Sequence, residues 1–162
     1  MRAVVFCLVA SFIVLLHVED KNEEKVREVA DAYLKAIIAK DFDAVMKTVD
    51  VPFVFAFGSS RPRTADKTNE LKDDMTMLLK DADPKKVTAL KVEKVYDMPG
   101  LAKYAKEKAK DQPEEAGKYI LEVEKVVGKS GYVMLLRAGD IDTGVLLVRF
   151  KDGKAFVVGM SK

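Results

Sequence analysis

From Asn22 to Lys40 the apolar residues fall at Val26, Val29, Ala30, Tyr33, Leu34, Ile37 and Ile38. Steps of three and four place them on one face of a long helix. Asp20 and Glu23 are spaced as a capping pair at its start. Asp41 predicts the N-cap of a second, short helix with Phe42, Val45, Met46 and Val49 as its apolar face. The pattern then changes to period two. Val51 to Phe57 is rich in β-branched and aromatic residues, and Pro52 sits at its beginning, where a strand tolerates it. Alternation puts Phe53, Phe55 and Phe57 on a common face. A loop, "GSSRPRT", follows. A third helix is predicted from about Ala65 to Lys80, with Leu71, Met75, Leu78 and Leu79 buried and "DADP" as its end.

The second half reads mainly as strands. Val87 to Tyr96 is one. Leu101 to Lys110 is a lysine-rich helix closed by Pro113, and Tyr119 to Val127 alternates as a half-exposed strand. Tyr132 to Arg137 and Val145 to Phe150 are apolar at consecutive positions, which predicts central strands. Asp152-Gly153 marks a tight hairpin, and Phe156 to Met160 closes the sheet. Helix, helix, strand, helix and a run of antiparallel strands make an α+β fold. The expectation is a curved antiparallel sheet with three helices of the N-terminal half on its concave face.

Residues 1–18 stand apart. Arg2 precedes the apolar run "AVVFCLVASFIVLL", and charge returns at Glu19. This is the pattern of a secretory signal peptide, too short for a comfortable membrane span. Small residues at the usual cleavage spacing are missing near Val18, so an uncleaved N-terminal anchor and a buried helix stay open as alternatives. The expected location is exported, periplasmic or secreted, with membrane contact only if the leader is retained. Residues 19–162 form one domain.

Removing the leader also removes Cys7 and His17, the chain's one cysteine and one histidine. The remainder then has no disulfide, thiol nucleophile, imidazole or thiolate metal site, or Ser-His-Asp triad. No cofactor is implied. With 33% charged residues the composition suits a folded domain, while a net charge of +2 with interspersed signs argues against nucleic-acid binding.

The helix "EEKVREVADAYLKAIIAKDFDAVMKTV", the strand "PFVFAF", the helix "NELKDDMTMLL" and the hairpin "VLLVRFKDGKAFVVGM" together resemble the nuclear transport factor 2-like superfamily. The resemblance covers roughly Asn22 to Lys162. It implies a cone-shaped, cystatin-like α+β fold, an apolar cavity open at one end, and homodimers packed through the sheet. The superfamily holds isomerases, dehydratases, cyclases and subunit-association modules. Around "TVDVPF" the isomerase-type members place an aspartate base directly before the proline. Here that position is Val51, and Asp50 lies one residue earlier, which makes Asp50 a weak catalytic candidate. The tyrosine and protonated aspartic acid of an isomerase oxyanion hole have no residue-by-residue match, and the histidine of the dehydratases is absent from residues 19–162.

Six residues are candidates for ligand binding. Phe53, Phe55 and Phe57 line a cavity or simply fill the core, and Tyr33 faces the same interior with a hydroxyl to offer. Arg61 and Arg63 flank Pro62 and suit a carboxylate or phosphate, or else a solvated loop. Arg137 and Arg149 lie within apolar strands and need partners; Glu122 and Glu124 are the expected ones. Asp140 and Asp142 are too few for a calcium loop, and "GKS" at Gly128 to Ser130 is followed by a strand where a phosphate loop needs a helix. Two readings follow. One is an exported, non-catalytic domain that binds a small apolar or amphipathic ligand in the cone, or a partner protein through the sheet. The other is an isomerase-, dehydratase- or cyclase-type enzyme built on carboxylates and tyrosines. The missing catalytic groups favour the first.

Overall fold

The helical spacing at the N-terminal end is realised as α1 (Lys21–Ala39) and α2 (Phe42–Thr48) in a computed structural model that describes residues 21–139 and 141–161. The leader, with Cys7 and His17, lies outside the described residues, as do Asp20 and Asp140. Lys40 takes a positive φ of 55° and ends α1, and the Asp41 side chain accepts a hydrogen bond from the Ala44 backbone N–H at 2.9 Å. That contact satisfies one of the free donors at the start of α2.

The chain continues through β1 (Val49–Phe55), β2 (Arg63–Ala65), α3 (Thr68–Asp81), α4 (Pro84–Thr88), β3 (Lys91–Asp97), α5 (Met98–Lys108), α6 (Pro113–Val127), β4 (Tyr132–Ala138), β5 (Ile141–Lys151) and β6 (Lys154–Ser161). The six strands form one sheet in the order β2-β1-β6-β5-β4-β3. The fold is α+β, as expected, but the sheet is mixed. β6 runs parallel to β1, with Phe55 opposite Met160, and every other pairing is antiparallel. β4 and β5 are central, as their two-sided apolar pattern predicts. β6 is interior too, between β5 and β1, rather than closing an edge. The hairpin turn at Asp152-Gly153 has positive φ at both residues, 52° and 74°, the conformation that matches strand twist.

Helices cover both faces, not one. On the first face α1, α2 and α3 pack on Phe53, Met134, Leu136, Leu146, Val148 and Val157, with Val87 and Leu90 from the α4 region against the same core. On the second face Met98 and Leu101 of α5 and Val123 and Val127 of α6 pack on Val54, Val133, Leu147 and Val158. The second face therefore carries the chain's own helices, α5 and α6.

The cause of the difference is α6. Tyr119 to Val127 was predicted as a strand and is helical. Its β-branched residues imitate alternation, but Ala116, Tyr119, Ile120, Val123 and Val127 also follow the helical three-and-four spacing. Pro113 at the first turn, Glu114 and Glu115 beside it, and Gly128 at the C-cap with φ 77° supply both ends of a helix. Two smaller corrections come with it. The predicted strand from Val87 begins only at Lys91, after α4 with its Asp83 N-cap. The loop after β1 contains the short edge strand β2.

Gly159 sits where β6 meets both neighbours. A Cβ there would lie 2.9 Å from Leu147 Cδ1 and 3.2 Å from the Val54 carbonyl oxygen. Gly159→Ala is expected to lower stability by about 1–3 kcal/mol through overpacking, read from the urea midpoint; an unchanged midpoint would show that β6 is not held this closely.

Candidate functional site

α1 and the sheet do not meet along their whole length. Between Tyr33, Leu34 and Ile37 of α1, the end of α3 and α4, and strands β4, β5 and β6, a cavity of about 720 Å³ remains. Its wall is mainly apolar: Leu78, Val87, Leu90, Leu136, Leu146 and Met160 contribute most of the bulky side chains. Asp81, Asp83, Lys86 and Ala89 also border it and are exposed, which places its mouth at α4 and the turn that precedes it. Asp83 is already committed, because its carboxylate caps α4 by accepting from the Lys85 N–H at 3.0 Å. The volume is within the range of small-molecule sites.

Tyr33 is the one polar group deep in this wall. The helical face that buries Ala30, Leu34 and Ile37 buries it too, at 2% exposure. Its hydroxyl donates to Met160 Sδ at 3.3 Å. A thioether is a weak acceptor, so the donor is held without being well satisfied. Burial pushes the phenol's pKa far above its ordinary value, and the hydroxyl stays protonated.

The other candidate residues lie elsewhere. Phe53 and Phe55 face the first core, with ring centroids 4.6 Å apart, and do not border the cavity. Phe57 does not share their face. The strand ends at Phe55, Ala56 takes a φ of 52°, and Phe57 turns to the second core beside Tyr119, 5.8 Å away in edge contact. Arg61 is exposed in the loop. Arg63 lies in β2, its Nη2 2.7 Å from Oδ1 of Asp74, which α3 buries to 5% exposure. Neither Asp74 oxygen has a well-aligned hydrogen bond, so the contact is a charge pair that ties the edge strand to α3. Sequence pattern gave no warning of this pair, since a single aspartate on a helix reads as solvated.

Asp50 also stays away from the cavity. Val49 packs in the first core, and alternation turns Asp50 to the opposite side of the sheet. There its Oδ2 accepts from Arg149 Nη2 and Lys151 Nζ, each at 3.1 Å, and Arg149 also donates to the Val51 carbonyl at 2.8 Å. Burial opposes ionisation of this carboxyl. The bonds from Lys151, the Val51 backbone and Arg149, with the charge of Lys151, outweigh it, and the pKa lies below its ordinary value. A carboxylate held ionised by two cations is a poor proton shuttle. Arg149 therefore pairs with Asp50, and Arg137 with Glu93 of β3 at 3.0 Å, in place of Glu122 and Glu124, which belong to α6.

Among the described residues no cluster of His, Cys, Asp or Glu is placed to hold a metal ion, and no helix is long and apolar enough to cross a membrane. No protein-family model matches the chain, and no curated protein matches it. Among solved structures it is similar to a protein from Xanthomonas campestris described as a calcium/calmodulin dependent protein kinase II association domain. The match has 11% identity and a TM-score of 0.43, and covers 88% of this chain and 86% of that one.

The lowered pKa of Asp50 sets a sign for acid stability. Its contribution is complete above the unfolded value of about 3.9 and is lost as pH falls through the lower folded value. Asp50→Asn is thus expected to be less stable than wild type at neutral pH, with the gap shrinking below about pH 4. Urea midpoints across that range check it; a gap that stays constant would mean the ion pairs contribute nothing.

Proposed function

We propose that the chain is a binding domain whose cavity takes a small apolar or amphipathic molecule, with Tyr33 as hydrogen-bond donor to it. The observation that carries this reading is the poorly satisfied hydroxyl set in an apolar wall of about 720 Å³. A carbonyl or ether oxygen is a better acceptor than the Met160 thioether, and a bond made away from water is worth more than one at the surface. The mouth carries Asp81 and Asp83 against Lys86, so a neutral ligand enters more easily than an anion.

The position of Asp50 supports binding over carboxylate catalysis. Isomerase-type chemistry needs an acid inside the cavity with a raised pKa; Asp50 lies outside it and is shifted the other way. Membership of the nuclear transport factor 2-like superfamily remains part of the proposal. It is supported by the helix-helix-strand-helix order of the first half and by a cavity between the first helix and the sheet.

Ala138 shares the face of Leu136 and borders the cavity. Titration with the neutral fluorophore N-phenylnaphthylamine is expected to saturate at one site in the wild type. Ala138→Phe, which puts a ring into that space, is expected to weaken binding about tenfold or more, equivalent to about 1.4 kcal/mol. No saturable binding by the wild type, or equal binding by the variant, would sink the reading.

A further inference from the structure

Resting on that cavity reading, we propose that Met160 is an oxidation site that controls the cavity, its sulfoxide taking the Tyr33 hydroxyl and excluding apolar ligands. The described residues contain no cysteine, so redox sensitivity in this domain falls to its thioethers. Met75 and Met134 are wholly buried and Met98 nearly so, while Met77 is 52% exposed on α3. Met77 and Met46 do not border the cavity; Met160 is the methionine that does, and it is partly exposed. A small oxidant entering the cavity therefore meets this sulfur on the wall, already in contact with a protonated donor.

The reaction needs a peroxide-class oxidant. The sulfur lone pair attacks the terminal peroxide oxygen, an S–O bond forms and the O–O bond breaks. The sulfur is oxidised by two electrons, and hydrogen peroxide is reduced to water, the departing oxygen keeping one proton and taking up the other. The product differs from the thioether in two ways that matter here. The S=O oxygen is a strong acceptor, so the Tyr33 hydroxyl 3.3 Å from the present sulfur gains a far better partner. The wall also gains a permanent dipole, which an apolar ligand would have to cover without compensation. Oxidation thus removes the donor and adds a desolvation cost at one point. Enzymatic reduction of the sulfoxide would reverse both.

The test uses the full chain, hydrogen peroxide, peptide mass mapping and N-phenylnaphthylamine titration. An added oxygen at Met160 should accompany an affinity loss of about tenfold, with recovery after treatment by methionine sulfoxide reductases. Met77→Leu should bind the probe normally and remain sensitive to peroxide. Met160→Leu, whatever its own affinity, should keep that affinity after peroxide. The proposal is overturned if Met160 carries the oxygen while affinity stays within about twofold, if Met160 stays unmodified when Met77 is fully oxidised, or if Met160→Leu is equally sensitive. A reduced wild type that binds no probe overturns the cavity reading and this proposal together; probe binding that peroxide does not touch overturns only this one. Tyr33 ring resonances, followed without any ligand, should shift on oxidation, and their constancy would count against the proposal independently.

Discussion

Two-sided burial of the central strands is the constraint from which the rest follows. In β4, β5 and β6 consecutive residues are apolar, so Met134, Leu146 and Val157 point one way while Val133, Leu147 and Val158 point the other, all essentially without solvent exposure. Each such side chain contributes roughly 1.5–3 kcal/mol when covered. A sheet of this kind has no face to leave in water, and helices must close both. α1, α2 and α3 close one, with the α4 region; α5 and α6 close the other. The parallel pairing of β6 with β1 fits the same demand, because it places β6 inside the sheet, where both its faces are covered.

The cavity is where that cover is incomplete. Near its C-terminal half α1 stands off the ends of β4, β5 and β6, and the short α4 region reaches over the gap without filling it. Tyr33 falls in this gap by helical periodicity, one turn from Ala30 and Ile37. Its ring belongs to the core and its hydroxyl is left with sulfur. The alternation of β1 has an equally sharp consequence. It keeps Phe53 on the cavity's side of the sheet and sends Asp50 to the other, where Arg149 and Lys151 hold it ionised. One sheet therefore separates an apolar cavity from a charged, surface-linked network, and the chemistry of the two does not mix.

Periodicity made the first half of the chain legible. α1, the Asp41 cap, a strand around Pro52 and α3 announce themselves through spacing or turn chemistry, although β1 opens at Val49 and carries Pro52 in its middle rather than at its start. In the second half the Asp152-Gly153 hairpin does so too. α6 did not, because valines and isoleucines fit both periods over a short run and only Pro113 and Gly128 decide between them. Reading α6 as a strand also hid the second helical layer. At the site, Tyr33 was legible from the buried face of α1. Its partner Met160 was not, since the two are 127 residues apart and meet only once β6 is seated between β1 and β5. The turn of Phe57 away from Phe53 depends on the backbone at Ala56, where a positive φ in an alanine leaves no mark in sequence. The Arg63–Asp74 pair, between β2 and α3, and the Arg149–Asp50 pair, 99 residues apart, each join different elements and were invisible to local pattern.

The claim at the centre is that the cavity is a ligand site and not a packing defect. Native mass spectrometry of the protein recovered from cells that produce it tests this most directly. A bound, neutral small molecule is predicted: extra mass under native conditions, released under denaturing ones, and lost from Ala138→Phe. A native mass equal to the bare chain, in protein that also refuses every apolar probe offered to it, would contradict the claim.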